Sequence, residues 1–188
     1  MNWIVPRVRN VRRILPYLLY GVLLGGLYGM LHDQISYTIS REYFTDFKFH
    51  QFRYADFHLP ERLYVSIIGF LATWWVGLFS GWFLARMRFN SDDLQTARRD
   101  ILQGFAIIAC CAMGAGILGG VAGYLNYYVF DAQEFLGFEK QFSGTTLKRF
   151  AIVGTIHNSG YVGGLAGLIV AVFLLKRKMK QRLSDVDM

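Results

Sequence analysis

The chain has 188 residues and a net charge of +7; 54% of its residues are apolar, 16% aromatic and only 18% charged. Soluble domains run nearer 45–50% apolar and about 25% charged, and disordered chains are polar and poor in aromatics. The two cysteines, Cys110 and Cys111, are neighbours, which excludes a disulfide scaffold and leaves a small multi-pass membrane protein.

Four stretches carry no Asp, Glu, Lys or Arg: 14–31, 63–85, 101–125 and 150–175. A bilayer core about 30 Å thick needs roughly 20 helical residues. Uninterrupted runs of this length are not the alternating strands of a barrel. The predicted fold is an all-α membrane protein, a bundle of four transmembrane helices forming one domain over 1–188. The first stretch ends Leu27-Tyr28-Gly29-Met30-Leu31-His32 with no small-residue cleavage site, so it reads as a retained span rather than a signal peptide.

The basic residues set an orientation. One side receives Arg7, Arg9, Arg12 and Arg13, the connection 86–100 with Arg86, Arg88, Arg98 and Arg99, and the tail 176–188 with Lys176, Arg177, Lys178, Lys180 and Arg182. That side has thirteen basic and five acidic residues; the other, with loops 32–62 and 126–149, has seven and eight. The positive-inside rule places both termini in the cytoplasm and predicts an inner-membrane protein. The basic clusters all flank spans, so the charge signals orientation and attraction to lipid headgroups, not nucleic-acid binding. The end from Gln181 reads as disordered.

Eighteen of the twenty glycines fall within the spans. Gly21, Gly25 and Gly29 recur every four residues in span 1, as do Gly77 and Gly81 in span 2, Gly116 and Gly120 in span 3, and Gly160 and Gly164 in span 4. Residues four apart share a helix face, and small residues let helices approach closely in lipid. A spare face of this kind would serve a second copy or a larger complex. A GGxxG pattern at 25–29, 119–123 and 163–167 fits either a duplicated hairpin or convergence of glycine-rich helices.

His32 lies 19 residues in from Arg13, and His157 lies 19 residues back from Lys176. Gly25, Gly26 and Gly29 sit at the same depths as Gly164, Gly163 and Gly160. If spans 1 and 4 pack antiparallel through these glycines, His32, Asp33 and His157 converge about 28 Å from the basic edge. Ionisable groups at membrane depth mark function. Imidazole and carboxylate suit a first-row metal, two facing imidazoles suit a haem, and a His–Asp pair suits the polar head of a quinone or lipid. A buried histidine tying two helices together fits the same residues. Glu42, Asn158 and Tyr161 join the expected ligand-binding set, although Asn158 lies about 100° around the helix from His157. An accessory binding protein and a membrane redox protein or enzyme both accommodate this pocket. No ionisable station lies deeper in spans 2 and 3 beyond the thiols and tyrosines, which disfavours a pump.

Loop 32–62 is aromatic, and Ser40 is placed to cap a short interfacial helix whose face would carry Tyr43, Phe47, His50 and Tyr54. It serves as a headgroup anchor or as a lid over the histidines. The stretches His32-Asp33-Gln34-Ile35-Ser36-Tyr37-Thr38, Glu42-Tyr43-Phe44-Thr45 and Phe47-Lys48-Phe49, with His157-Asn158-Ser159-Gly160-Tyr161-Val162-Gly163-Gly164, resemble uncharacterised bacterial multi-pass proteins with HDQ-x-SYT…EYFT…FKF and HN-x-x-Y-x-GG segments. The resemblance implies a bacterial source and carries over no catalytic residue.

Overall fold

Four long helices follow one another: α1 (Val8–Ile39), α2 (Glu61–Arg88), α3 (Leu94–Tyr124) and α4 (Gly144–Val186). The computed structural model describes residues 8–88 and 94–186. All four helices are long and apolar enough to cross a membrane. Each begins before its apolar stretch. α1 continues through His32 and Asp33, so the first connection starts near residue 40 rather than 32. Most of 86–100 is helical, and α4 reaches Val186 where a disordered end was expected from 181. Residues 1–7, 89–93 and 187–188 of the predicted flanks lie outside the described residues.

At one end of the bundle three charged residues in the helices pair with one another. Asp100 is buried between two guanidinium groups, with Arg88 Nη2 at 3.0 Å and Arg182 Nη1 at 2.9 Å from Oδ2. This triad joins α2, α3 and α4 beside an apolar cluster of Ile14, Leu84, Ile101, Phe105, Ala171 and Leu175.

The helices are apolar outside and polar at points inside. Leu19, Leu23, Leu27, Leu31 and Ile35 form an exposed ridge on α1, one residue every four, while Asp33, Ser36, Ser80 and His157 are buried. Large contiguous apolar surface is unusual on a soluble monomer and suits contact with lipid tails.

Packing occurs chiefly in two antiparallel pairs, α1 with α2 and α3 with α4. A Cβ on Gly77 would overlap the Gly21 carbonyl, and one on Gly29 would overlap the Gly69 carbonyl. Thr73 Oγ1 donates across this seam to the Gly25 carbonyl at 2.8 Å. In the second pair the tight row is Gly119, Gly123, Gly163 and Gly167, against Thr155, Ser159, Cys111 and Ile108. At Gly116, Gly160 and Gly164 a Cβ would find nothing nearer than 3.7 Å, and at Gly120 the nearest atom would be Ile156 Cγ1 at 3.2 Å. The expected meeting of glycine faces between spans 1 and 4 is therefore corrected: the α1 glycines serve α2. The α1 and α4 helices make few contacts.

The two longer connections fold over the same end of the bundle. The first holds a π-helical turn at Phe44–Lys48, one α-helical turn at Phe49–Gln51 and a 3-10 turn at Arg53–Ala55. Ser40 Oγ accepts from the Tyr43 N–H at 3.3 Å, as an N-cap does. The expected face is corrected. A π-turn closes i→i+5 bonds and is wider than an α-turn, so Tyr43, Phe44, Lys48 and Phe52 turn inward while His50 and Tyr54 are exposed. The second connection adds Phe135, Phe138 and Phe142 around fully buried Phe150. The Phe47 and Phe138 rings, 5.9 Å apart, join the two connections into one aromatic cap.

Candidate functional site

His32 and Asp33 lie near the end of α1 and His157 lies in the first third of α4. The His32 and His157 rings meet edge to face, centroids 4.5 Å apart. His32 Nδ1 donates to Asp33 Oδ1 at 3.2 Å, and His157 Nε2 stands 3.9 Å from the same oxygen. Asp33 and His157 are each only 3% exposed. His32 is more open, with 19% of its side chain exposed.

Two polar atoms in this group, Asp33 Oδ2 and His157 Nε2, are buried with no hydrogen-bond partner among the described residues. Each such atom costs roughly 1–3 kcal/mol if left unpaired. Ligand atoms from the three residues lie within 4.8 Å of one another, and no other such group of three occurs among the described residues. Ligands about 2.0–2.1 Å from a shared tetrahedral metal are about 3.3 Å apart. Closing the trio on an ion therefore requires these atoms to draw together, and the ion would replace the proton that His32 donates to Asp33. Two imidazoles and one carboxylate leave coordination positions open.

The ring geometry removes the haem alternative. Axial imidazoles sit on opposite faces of a porphyrin, their ligating nitrogens about 4 Å apart. Edge-to-face rings at 4.5 Å, with Tyr43 stacked on His157 at 5.0 Å, leave no slot for the macrocycle.

Further aromatic groups surround the trio. Tyr28 stacks on His32 at 5.7 Å, one turn deeper in α1. Tyr161 lies 6.4 Å from His157, one turn deeper in α4. On the loop side, Lys48 is 4% exposed and stands over the Phe52 ring at 5.7 Å. Burial lowers the Lys48 ammonium below its usual range, and the Asp33 charge partly opposes this. Burial also raises the Tyr43 phenol.

The remaining expected residues are dispersed. Asn158 is exposed on the outer face of α4. Glu42 accepts from the Ser40 hydroxyl at 3.1 Å and is not part of the converging group. His50 and His58 are exposed. Tyr28 was not expected in the pocket, although its signal is present: Tyr28-x3-His32 on one helix mirrors His157-x3-Tyr161 on the other. Lys48 had no such signal, because its inward direction depends on the π-turn. Neither a family model, nor a curated protein, nor a solved structure matches the chain, and the geometry of His32, Asp33 and His157 carries the functional reading by itself.

Proposed function

We propose that the chain is a metal-binding accessory protein of a bacterial inner membrane, holding a divalent first-row ion such as zinc or iron(II) on His32, Asp33 and His157. The observation that carries this reading is the convergence of three ligand atoms around two buried, unpartnered polar atoms. Imidazole and carboxylate together suit these ions, and three protein ligands leave room for a further one. The charge asymmetry supports cytoplasmic termini, which puts the site at the outer boundary of the bilayer. The aromatic cap then lies at headgroup level, where such rings concentrate. The exposed apolar ridges are covered by lipid, and a second copy or a partner subunit would use the same faces.

The test is a cobalt(II) titration of the detergent-purified protein followed by visible absorption. One equivalent should bind with ligand-field bands that disappear in His157→Gln and Asp33→Asn, while circular dichroism shows the helices retained. Absence of saturable binding in the unsubstituted protein would contradict the proposal. The approach of His157 Nε2 to within 3.9 Å of Asp33 Oδ1 favours one second reading, a metal-free tie between α1 and α4. Under that reading the variants lose thermal stability with no metal to lose.

A further inference from the structure

The basic edge of the bundle holds an open cavity, away from the histidines. Its volume is about 590 Å³, and it is lined by Gln95, Arg98, Arg99, Leu102, Gln103 and Ala106 of α3. Arg98 and Arg99 are exposed and form no ion pair among the described residues. Asp100, the next residue, does not balance them, because it is buried between Arg88 and Arg182. Two guanidinium groups against one carboxylate leave that triad positive as well. Lys178 brings a further cation from α4, and its Nζ donates to Gln103 Oε1 at 2.6 Å. The other end of the cavity is apolar, with Leu102 and Ala106 both exposed. The same face of α3 continues through exposed Ala109, Cys110, Met113 and Ile117. Arg99 and Arg98 stand two and three residues outside the apolar stretch 101–125, about 3–5 Å along the helix axis. Leu102 and Ala106 stand inside that stretch. In a bilayer the cations therefore lie at headgroup level and the apolar end lies at acyl-chain level.

We infer that this cavity binds an anionic phospholipid, its phosphate on Arg98, Arg99 and Lys178 and an acyl chain along Leu102 and Ala106. Guanidinium groups take phosphate oxygens in bidentate pairs, and basic pockets beside transmembrane helices take anionic headgroups. Gln103 holds Lys178 by its side-chain carbonyl, which leaves its amide N–H2 as a further donor at the cavity. The apolar end selects a lipid over a free anion: phosphate alone makes no use of Leu102 and Ala106, whereas an acyl chain covers them and the exposed face beyond. The site lies at the opposite end of the bundle from His32 and His157, so it stands or falls independently of the metal reading.

The experiment is native mass spectrometry of the detergent-purified protein titrated with dioleoyl phosphatidylglycerol, with dioleoyl phosphatidylcholine and with glycerol 3-phosphate. The unsubstituted protein is compared with the double variant Arg98→Gln/Arg99→Gln. A second double variant, Arg12→Gln/Arg13→Gln, removes the same charge from the same edge at exposed residues that do not line the cavity. Ala106→Trp fills the apolar end. All these positions are exposed, and circular dichroism verifies that the helices are retained. The unsubstituted protein should bind its first phosphatidylglycerol at least about tenfold more tightly than phosphatidylcholine, as charge-assisted hydrogen bonds to one phosphate allow. Arg98→Gln/Arg99→Gln should abolish that preference, and Arg12→Gln/Arg13→Gln should keep it. Ala106→Trp should weaken phosphatidylglycerol binding by a similar factor. No preference in the unsubstituted protein, or equal loss in the two double variants, overturns the site and leaves only diffuse surface charge. Unchanged binding in Ala106→Trp, or glycerol 3-phosphate bound as tightly as phosphatidylglycerol, overturns the lipid as occupant.

Discussion

His32 and His157 meet at a ring-centroid distance of 4.5 Å although 124 residues separate them and their helices make few contacts. The contact therefore does not follow from general packing of α1 on α4. It is held locally, by Asp33 between the two imidazoles and by the aromatic cap above them.

The opposite end of the bundle depends on a different device. Asp100 is 1% exposed and is the acidic member of a triad with Arg88, which is also buried, and Arg182, which is half-exposed. Removing the centre of such a group leaves a buried charge uncompensated, at about 3 kcal/mol. Asp100→Ala should lower stability by about that amount, and Arg182→Ala by less than about 1 kcal/mol. Denaturation in mixed micelles checks the ranking. Equal effects would show that Arg88 is balanced by something else.

The glycines should separate into two classes. Gly77→Ala forces a methyl group onto the Gly21 carbonyl and should cost about 1–3 kcal/mol by overpacking. Gly114→Ala faces open space and should be neutral or should stabilise by up to about 1 kcal/mol, because alanine favours the helix. The same denaturation series reads both. A costly Gly114→Ala would reveal a partner on that face of α3.

Lys48 links stability to alkaline pH. Burial holds its folded-state pKa below the ordinary lysine value of 10.5. Between those two values the unfolded chain binds more protons, so the contribution of this group to stability rises with pH; below the folded value the cost of burial is constant. Lys48→Met should therefore be more stable than the unsubstituted protein near neutral pH, by about 1 kcal/mol, and the difference should shrink toward pH 10.5. A difference independent of pH would show that the ammonium is solvated in the folded protein.

Tyr43 covers His157, with ring centroids 5.0 Å apart. Tyr43→Phe should preserve the cover, and Tyr43→Ala should expose the imidazole. On metal-loaded protein, chelator extraction should be at least tenfold faster in Tyr43→Ala and unchanged in Tyr43→Phe. Equal extraction rates in all three would place the exit route elsewhere.

The four spans were legible because lipid imposes a length and an absence of charge that few other environments impose. The shared depth of His32 and His157 was also legible, as equal counts from the basic edges. The route to their meeting was not. Each helix carries more than one row of small residues, and spacing alone does not say which row faces which neighbour. Gly119, Gly123, Gly163 and Gly167 form the tight seam, whereas Gly116, Gly160 and Gly164 have room. The loop was read with α-helical spacing, and the π-turn at Phe44–Lys48 turned Lys48 inward and left His50 outside. Tyr28 was readable from its four-residue spacing to His32, which repeats the His157–Tyr161 spacing in reverse.

The central claim is that His32, Asp33 and His157 act together as metal ligands. Elemental analysis of protein reloaded with zinc or iron(II), then freed of loosely bound ions by gel filtration, tests it most directly. One metal ion per chain is expected, falling at least tenfold in His157→Gln and in Asp33→Asn while both variants remain helical. Metal-free protein after reloading, or full occupancy retained in both variants, would contradict the claim.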